Sequence, residues 1–171
     1  MSQQRAMAAP SLPIFSDPQS HFSIHVPPGW SVDSSGVKGT KLALFAPQIE
    51  MGFRANVNVH VQDLQGCSRE DFLTTTRWQL KLLTGQEHLE RDEPAASPFG
   101  GHLLEWSSTF GAIALRFCQL IAFQRNQSYI LTGTAPDTCF SNYRNIFQTV
   151  FESFRLVPER GPTPVPCPSQ K

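Results

Sequence analysis

Apolar and polar residues alternate with a period of two through much of the chain, the pattern of strands whose side chains project to opposite faces. In Phe22-Ser23-Ile24-His25-Val26 the first, third and fifth residues are apolar; Pro27-Pro28-Gly29 then stops the strand and Trp30 restarts it. Leu42 to Phe45 is a short apolar strand ended by Pro47. The clearest strand is Phe53 to Gln62, which would span about 34 Å when extended. It places Phe53, Ala55, Val57, Val59 and Val61 on one face and Arg54, Asn56, Asn58, His60 and Gln62 on the other. Leu103 to Thr109, Ile113 to Phe123 and Tyr129 to Ala135 complete the series. Their connections, holding Gly111 and Arg125-Asn126-Gln127, are too short for a parallel crossover, so these strands are antiparallel neighbours.

Two stretches change period. Ser68 is a good N-cap, Glu70 and Asp71 sit at the positive end of a helix dipole, and Gly85 follows the last turn, which predicts a helix over 69–84. Phe72, Leu73, Thr76, Leu80 and Leu83 fall within about 100° of one another and predict its core stripe. Trp78 and Leu82, four residues apart, lie nearly opposite. They are either an exposed partner surface or covered by the Pro- and Ala-containing segment around Glu87 to Phe99. A second helix is expected over about 139–152, opened by Pro136-Asp137-Thr138, with Phe140, Tyr143, Phe147, Val150, Phe151 and Phe154 on one stripe. The pattern as a whole predicts an α+β fold with one antiparallel sheet sandwiched by helices, and Trp30 and Trp106 at least half buried.

Composition narrows the function classes. The chain has 171 residues, near the size of a single domain. A domain over 14–157 is expected between an N-terminal tail, 1–13, and a C-terminal tail, 158–171, whose five prolines cannot serve a sheet or a helix. That proline tail reads as a linker or as a docking ligand for a partner. Lys plus Arg and Asp plus Glu are 14 each, so no bulk positive charge supports binding to nucleic acid or anionic membranes. With 40% apolar residues and 13 phenylalanines, a packed core is expected. No stretch approaches the ~18 apolar residues of a membrane span, and MSQQRAMAAPSLP has no apolar run of a secretory signal. The expected compartment is the cytoplasm, or an extracytoplasmic one if a signal was removed.

Catalytic signatures are absent: there is no G-x-S-x-G, H-E-x-x-H, G-x-G-x-x-G or P-loop. Cys67, Cys118, Cys139 and Cys167 are too widely spaced for a zinc or redox motif and read as free thiols. His21 and His25 stand about 13 Å apart in an extended chain, too far for one metal. Neither metal nor cofactor is expected. His60 with Cys67 or Cys139 is the nearest approach to a nucleophile and base, and makes a small hydrolase or transferase the enzymatic rival. Asn126-Gln127-Ser128 fits a glycosylation pattern and equally an ordinary hairpin turn. Gln119 is the polar member of the row Ile113, Leu115, Phe117, Ile121 and Phe123, so it either bonds to a neighbouring element or faces a groove. The row Arg54, Asn56, Asn58, His60 and Gln62 is a solvated face or a hydrogen-bonding surface for a polypeptide.

The order of F-S-I-H-V-P-P-G-W (22–30), F-R-A-N-V-N-V-H-V (53–61), the following helix, Y-I-L-T-G-T-A (129–135) and F-x2-Y-R-x-I-F-x3-F-x-S-F (140–154) resembles the PsbP-like superfamily, its bacterial DcrB-like branch above all. The resemblance covers about 22–156 and implies an antiparallel sheet between helices. It also implies a protein-binding role, since that superfamily includes photosystem extrinsic subunits, Ran-binding import factors, envelope lipoproteins and cytoplasmic adaptors of type VI secretion effectors. It carries no catalytic residues. The expectation is a non-enzymatic protein-binding adaptor, chaperone or scaffold, with a protein partner or a second copy in a homodimer. A structural subunit of an envelope or photosynthetic complex is the alternative.

Overall fold

The computed structural model describes residues 12–85, 89–95 and 100–157. In chain order the elements are β1 (Ile14–Asp17), β2 (Phe22–His25), β3 (Ser31–Asp33), β4 (Leu42–Phe45), β5 (Asn56–Asp63), α1 (Arg69–Thr84), β6 (Arg91–Pro94), β7 (His102–Phe110), β8 (Ile113–Gln124), β9 (Gln127–Pro136), α2 (Phe140–Ser153) and β10 (Arg155–Leu156). The strands form two sheets instead of the single one expected. The larger runs β3-β4-β5-β9-β8-β7-β6 and the smaller β1-β2-β10, every pairing antiparallel. The split follows from Pro27-Pro28-Gly29: no proline donates to a ladder, so β2 leaves the large sheet and pairs with the chain ends.

α2 covers one face of the large sheet. Its stripe is the expected one: Phe140, Tyr143, Phe147, Val150 and Phe151 are buried, and Phe154 at its end is buried with them. They meet Val57, Val59, Leu131 and Leu120, and each fully buried Phe or Leu contributes about 2–3 kcal/mol of transfer free energy. The small sheet closes this core, with Phe22 beside Tyr129 and Phe154 at ring separations of 6.5 and 5.7 Å. Trp30 is half-buried edge-on against Tyr143 and Phe147, as expected of a residue entering a strand. One charge is buried here. Glu105 accepts two hydrogen bonds from Arg144, at 3.0 and 2.6 Å, so the helix is oriented as well as adhered.

α1 covers part of the opposite face. The cap is the one the sequence predicts: Ser68 Oγ accepts from Asp71 N at 3.0 Å. The stripe differs. Leu80 is the buried residue of this helix, Phe72, Leu73 and Thr76 are half-buried, and Leu83, expected in the core, is 79% exposed. The helix also meets β6, a strand that the sequence pattern does not reveal. Its Asp92 takes Arg77 in a two-pronged pair at 2.7 and 2.9 Å, with His102 on the same carboxylate. In the second half of α1, Arg77, Leu80 and Thr84 are the residues withdrawn from solvent, and Leu83 is outside that stripe. Strand boundaries also shift. β5 begins at Asn56 because Met51 and Gly52 adopt left-handed conformations and pair Glu50 with Phe53 in a tight turn.

Candidate functional site

The registers place one rung across all seven strands: Asp33, Ala43, Asn58, Thr132, Gln119, Leu104 and Asp92. The next rung carries Phe45, Asn56, Thr134, Phe117 and Trp106. These side chains share the α1 side of the sheet. Under α1 the rungs are apolar: Trp106 stacks on Phe117 at 5.1 Å, and Leu104, Ile121 and Phe123 pack with Leu80. Toward β5 and β4 they turn polar, and Asp33 to Thr40 curls over them to enclose a groove of about 300 Å³.

The polar row of β5 divides in two. Arg54 is committed to structure: Nε and Nη2 both donate to the Ala46 carbonyl, at 3.0 and 2.9 Å, and the guanidinium lies over the Phe45 ring. Asn56 is buried, donating to the Arg54 carbonyl at 3.0 Å and accepting from Asn58 Nδ2 at 3.0 Å. The reading of Asn56 as part of a solvated face is therefore corrected, since it is buried, whereas Arg54 stays exposed while its guanidinium ties down the entry turn of the strand. Asn58 reaches the groove, His60 lies 3.4 Å from Thr40 Oγ1, and Gln62 is exposed. Gln119 donates to Thr132 Oγ1 at 2.9 Å, which is the bonded outcome, while its buried Oε1 has no partner. The groove's other wall, Asp33 to Thr40, was missed, although Asp33-Ser34-Ser35-Gly36 is a run of turn-forming residues.

The second candidate surface is α1's outer side. Trp78 and Leu82 are 61% and 64% exposed, and Leu83, also exposed, projects about 100° round the helix from Leu82. The described part of the segment expected to cover them, residues 89–95, pairs with β7 instead and leaves them open; residues 86–88 and 96–99 lie outside the described residues.

Among the described residues no hydrogen bond joins His60 to Cys67 or Cys139. His60 bonds to Thr40, whereas Cys139 donates to the Pro136 carbonyl at 3.5 Å beside the α2 core. Burial, then Glu50, push the Cys139 thiol up to about 11. Cys67 is exposed. Arg125-Asn126 is a two-residue hairpin turn in which Asn126 Nδ2 donates to Asp63 Oδ1 at 2.6 Å, so the turn reading of Asn126-Gln127-Ser128 holds. Among the described residues no three His, Cys, Asp or Glu side chains are grouped to hold a metal, and no helix is long and apolar enough to cross a membrane. Cys167 and the proline tail lie outside the described residues.

No family model and no curated protein matches the chain. Solved structures do. Cyanobacterial PsbP (CyanoP) from Synechocystis sp. superposes with a TM-score of 0.66 at 17% identity, over 91% of this chain and 98% of that one. LpqN of Mycobacterium tuberculosis, involved in cell envelope biogenesis, gives 0.61 at 13% identity, over 80% and 83% of the two chains. Pseudomonas aeruginosa PA94 gives 0.58 at 13% identity, over 88% and 99%. The α+β fold that the sequence resemblance implied, an antiparallel sheet between helices as in PsbP, is the fold of this chain.

Proposed function

We propose that this chain is a non-enzymatic protein-binding module whose partner surface is the outer side of α1. The observation that carries this reading is the exposure of Trp78 and Leu82 on a helix already anchored by its other side. Large apolar residues gathered in water favour a partner that removes them from it, and an exposed Trp is a frequent interface anchor whose truncation costs 2 kcal/mol or more. The partner's matching chemistry is an apolar helix face or groove. The sequence resemblance to a superfamily rich in protein binders supports a binding role. The Mycobacterium tuberculosis neighbour's place in envelope biogenesis is compatible with such a role.

The experiment is a Trp78→Ala, Leu82→Ser double variant. Tagged wild type and variant are compared for self-association by light scattering and for quantitative recovery of co-purifying proteins from the native host. A partner surface predicts an unchanged melting midpoint and at least a tenfold loss of association, about 1.4 kcal/mol. A large fall in midpoint with association unchanged would place the residues in a second small core and overturn the reading.

A further inference from the structure

We propose that the groove between the Asp33–Thr40 loop and β5 binds a small zwitterion of the amino-acid class, a free amino acid or a dipeptide. This site is separate from the α1 surface and does not depend on it.

The groove is lined by one carboxylate, one ammonium and two side-chain amides, those of Asp33, Lys38, Asn56 and Asn58. Asp33 is fixed by its own loop, its Oδ1 accepting from Ser35 N at 2.9 Å, and the exposed carboxylate lines the groove, where it can accept from a ligand ammonium as well. The hydrogen bonds from Ser35 also hold its pKa below the ordinary value, so it is anionic at neutral pH. Lys38 supplies the cation, and no hydrogen bond or ion pair among the described residues engages its side chain. The loop carries Lys38 in a left-handed conformation, φ 54°, between Gly36 and Gly39 at 79° and 77°. A non-glycine residue there costs on the order of 1 kcal/mol, so the rest of the loop holds Lys38 in place against strain. On the sheet side Asn58 gives one amide hydrogen to Asn56 and keeps its carbonyl and second hydrogen for the groove. That pair of groups matches one peptide unit. Phe45 and Val37 add an apolar wall for a small side chain.

Volume and charge choose among ligands. About 300 Å³ lies at the small end of ligand sites, which suits an amino acid or dipeptide and excludes a longer chain held at both ends. A singly charged ligand would meet one like charge, whereas a zwitterion is matched at both ends.

The test is titration by isothermal calorimetry and by amide NMR shifts of the full chain with alanine, alanyl-alanine, N-acetyl-alanyl-alanine amide and sucrose. Saturable shifts confined to residues 33–40 and 56–58 are expected with alanine or alanyl-alanine. The blocked, uncharged peptide should bind at least about tenfold more weakly, and so should the Asp33→Asn and Lys38→Gln variants, whose side chains lie at the surface and leave the fold intact. Tighter binding of the dipeptide, lost in Asn58→Ala, assigns the peptide group; equal binding of alanine assigns the free amino acid. No saturable shift below about 10 mM overturns the proposal, as does equal binding of sucrose or of the blocked peptide, or shifts centred elsewhere.

Discussion

Gly133 of β9 and Phe147 of α2 touch because the glycine has no side chain: a Cβ there would lie 2.7 Å from Phe147 Cγ. The absent methyl lets the ring sit on the strand at the centre of the main core, where Phe147 is fully buried. Gly133→Ala should therefore destabilise the fold by about 1–3 kcal/mol through overpacking. Urea denaturation reads this directly. Shrinking the ring in a Gly133→Ala, Phe147→Leu variant should recover part of the loss, so the two effects are not additive. Full additivity would mean that the ring does not meet the new methyl.

The two leucines of α1's second half, Leu80 and Leu83, have opposite surroundings despite sharing a predicted stripe. Leu80 is 8% exposed among Leu104, Trp106 and Ile121, and Leu80→Ala should cost about 2–3 kcal/mol. Leu83→Ser should change stability by no more than about 0.5 kcal/mol. Equal costs in parallel denaturation curves would restore Leu83 to the core.

That contrast marks where the sequence was legible. The α2 stripe, the Ser68 cap, the Phe22-Ile24-Val26 alternation and the even spacing of Val57 and Val59 all follow from local periodicity, and the structure keeps them. What failed depended on contacts distant in sequence. β6 reads Arg-Asp-Glu-Pro, with no apolar alternation, and is a strand only because β7 offers it a ladder. Arg77 finds Asp92 only once that strand exists, so this contact of α1 was hidden too. Of the site, β5's polar row was visible, but the commitment of Arg54 and Asn56 to the strand's own entry turn was not, since Ala46 lies eight residues earlier.

Asp92 gives the α1 attachment an acid dependence. Partial burial pushes its pKa up, but the hydrogen bonds and charges of Arg77 and His102 outweigh this and hold it below the ordinary 3.8. The unfolded chain thus binds the proton more readily than the folded one. Stability from this carboxylate is fully present above about pH 4 and fades as pH falls through the depressed value. Comparing wild type with Asp92→Asn by denaturation at pH 7 and near pH 3, the difference should be largest at pH 7 and shrink in acid. A difference that grows in acid would reverse the sign and contradict the pairing.

Thiol reactivity tests the choice between binding module and enzyme. Burial, then Glu105, push Cys118 up to about 12, and Cys139 stands at about 11 for the reasons given above. At pH 8 their thiolate fractions are on the order of one in ten thousand and one in a thousand. Cys67 is exposed on the turn before α1. In a Cys167→Ser background, Ellman's reagent should modify one thiol quickly, Cys67, and the other two slowly in the folded protein and quickly only in denaturant. Raising the pH from 8 to 9 should speed the slow pair about tenfold, because each unit raises a minor thiolate fraction tenfold. Rapid modification of Cys139 in the folded protein would contradict a thiol pKa raised by burial and Glu50. A nucleophile would then exist beside Glu50, and the non-enzymatic reading would fall with it.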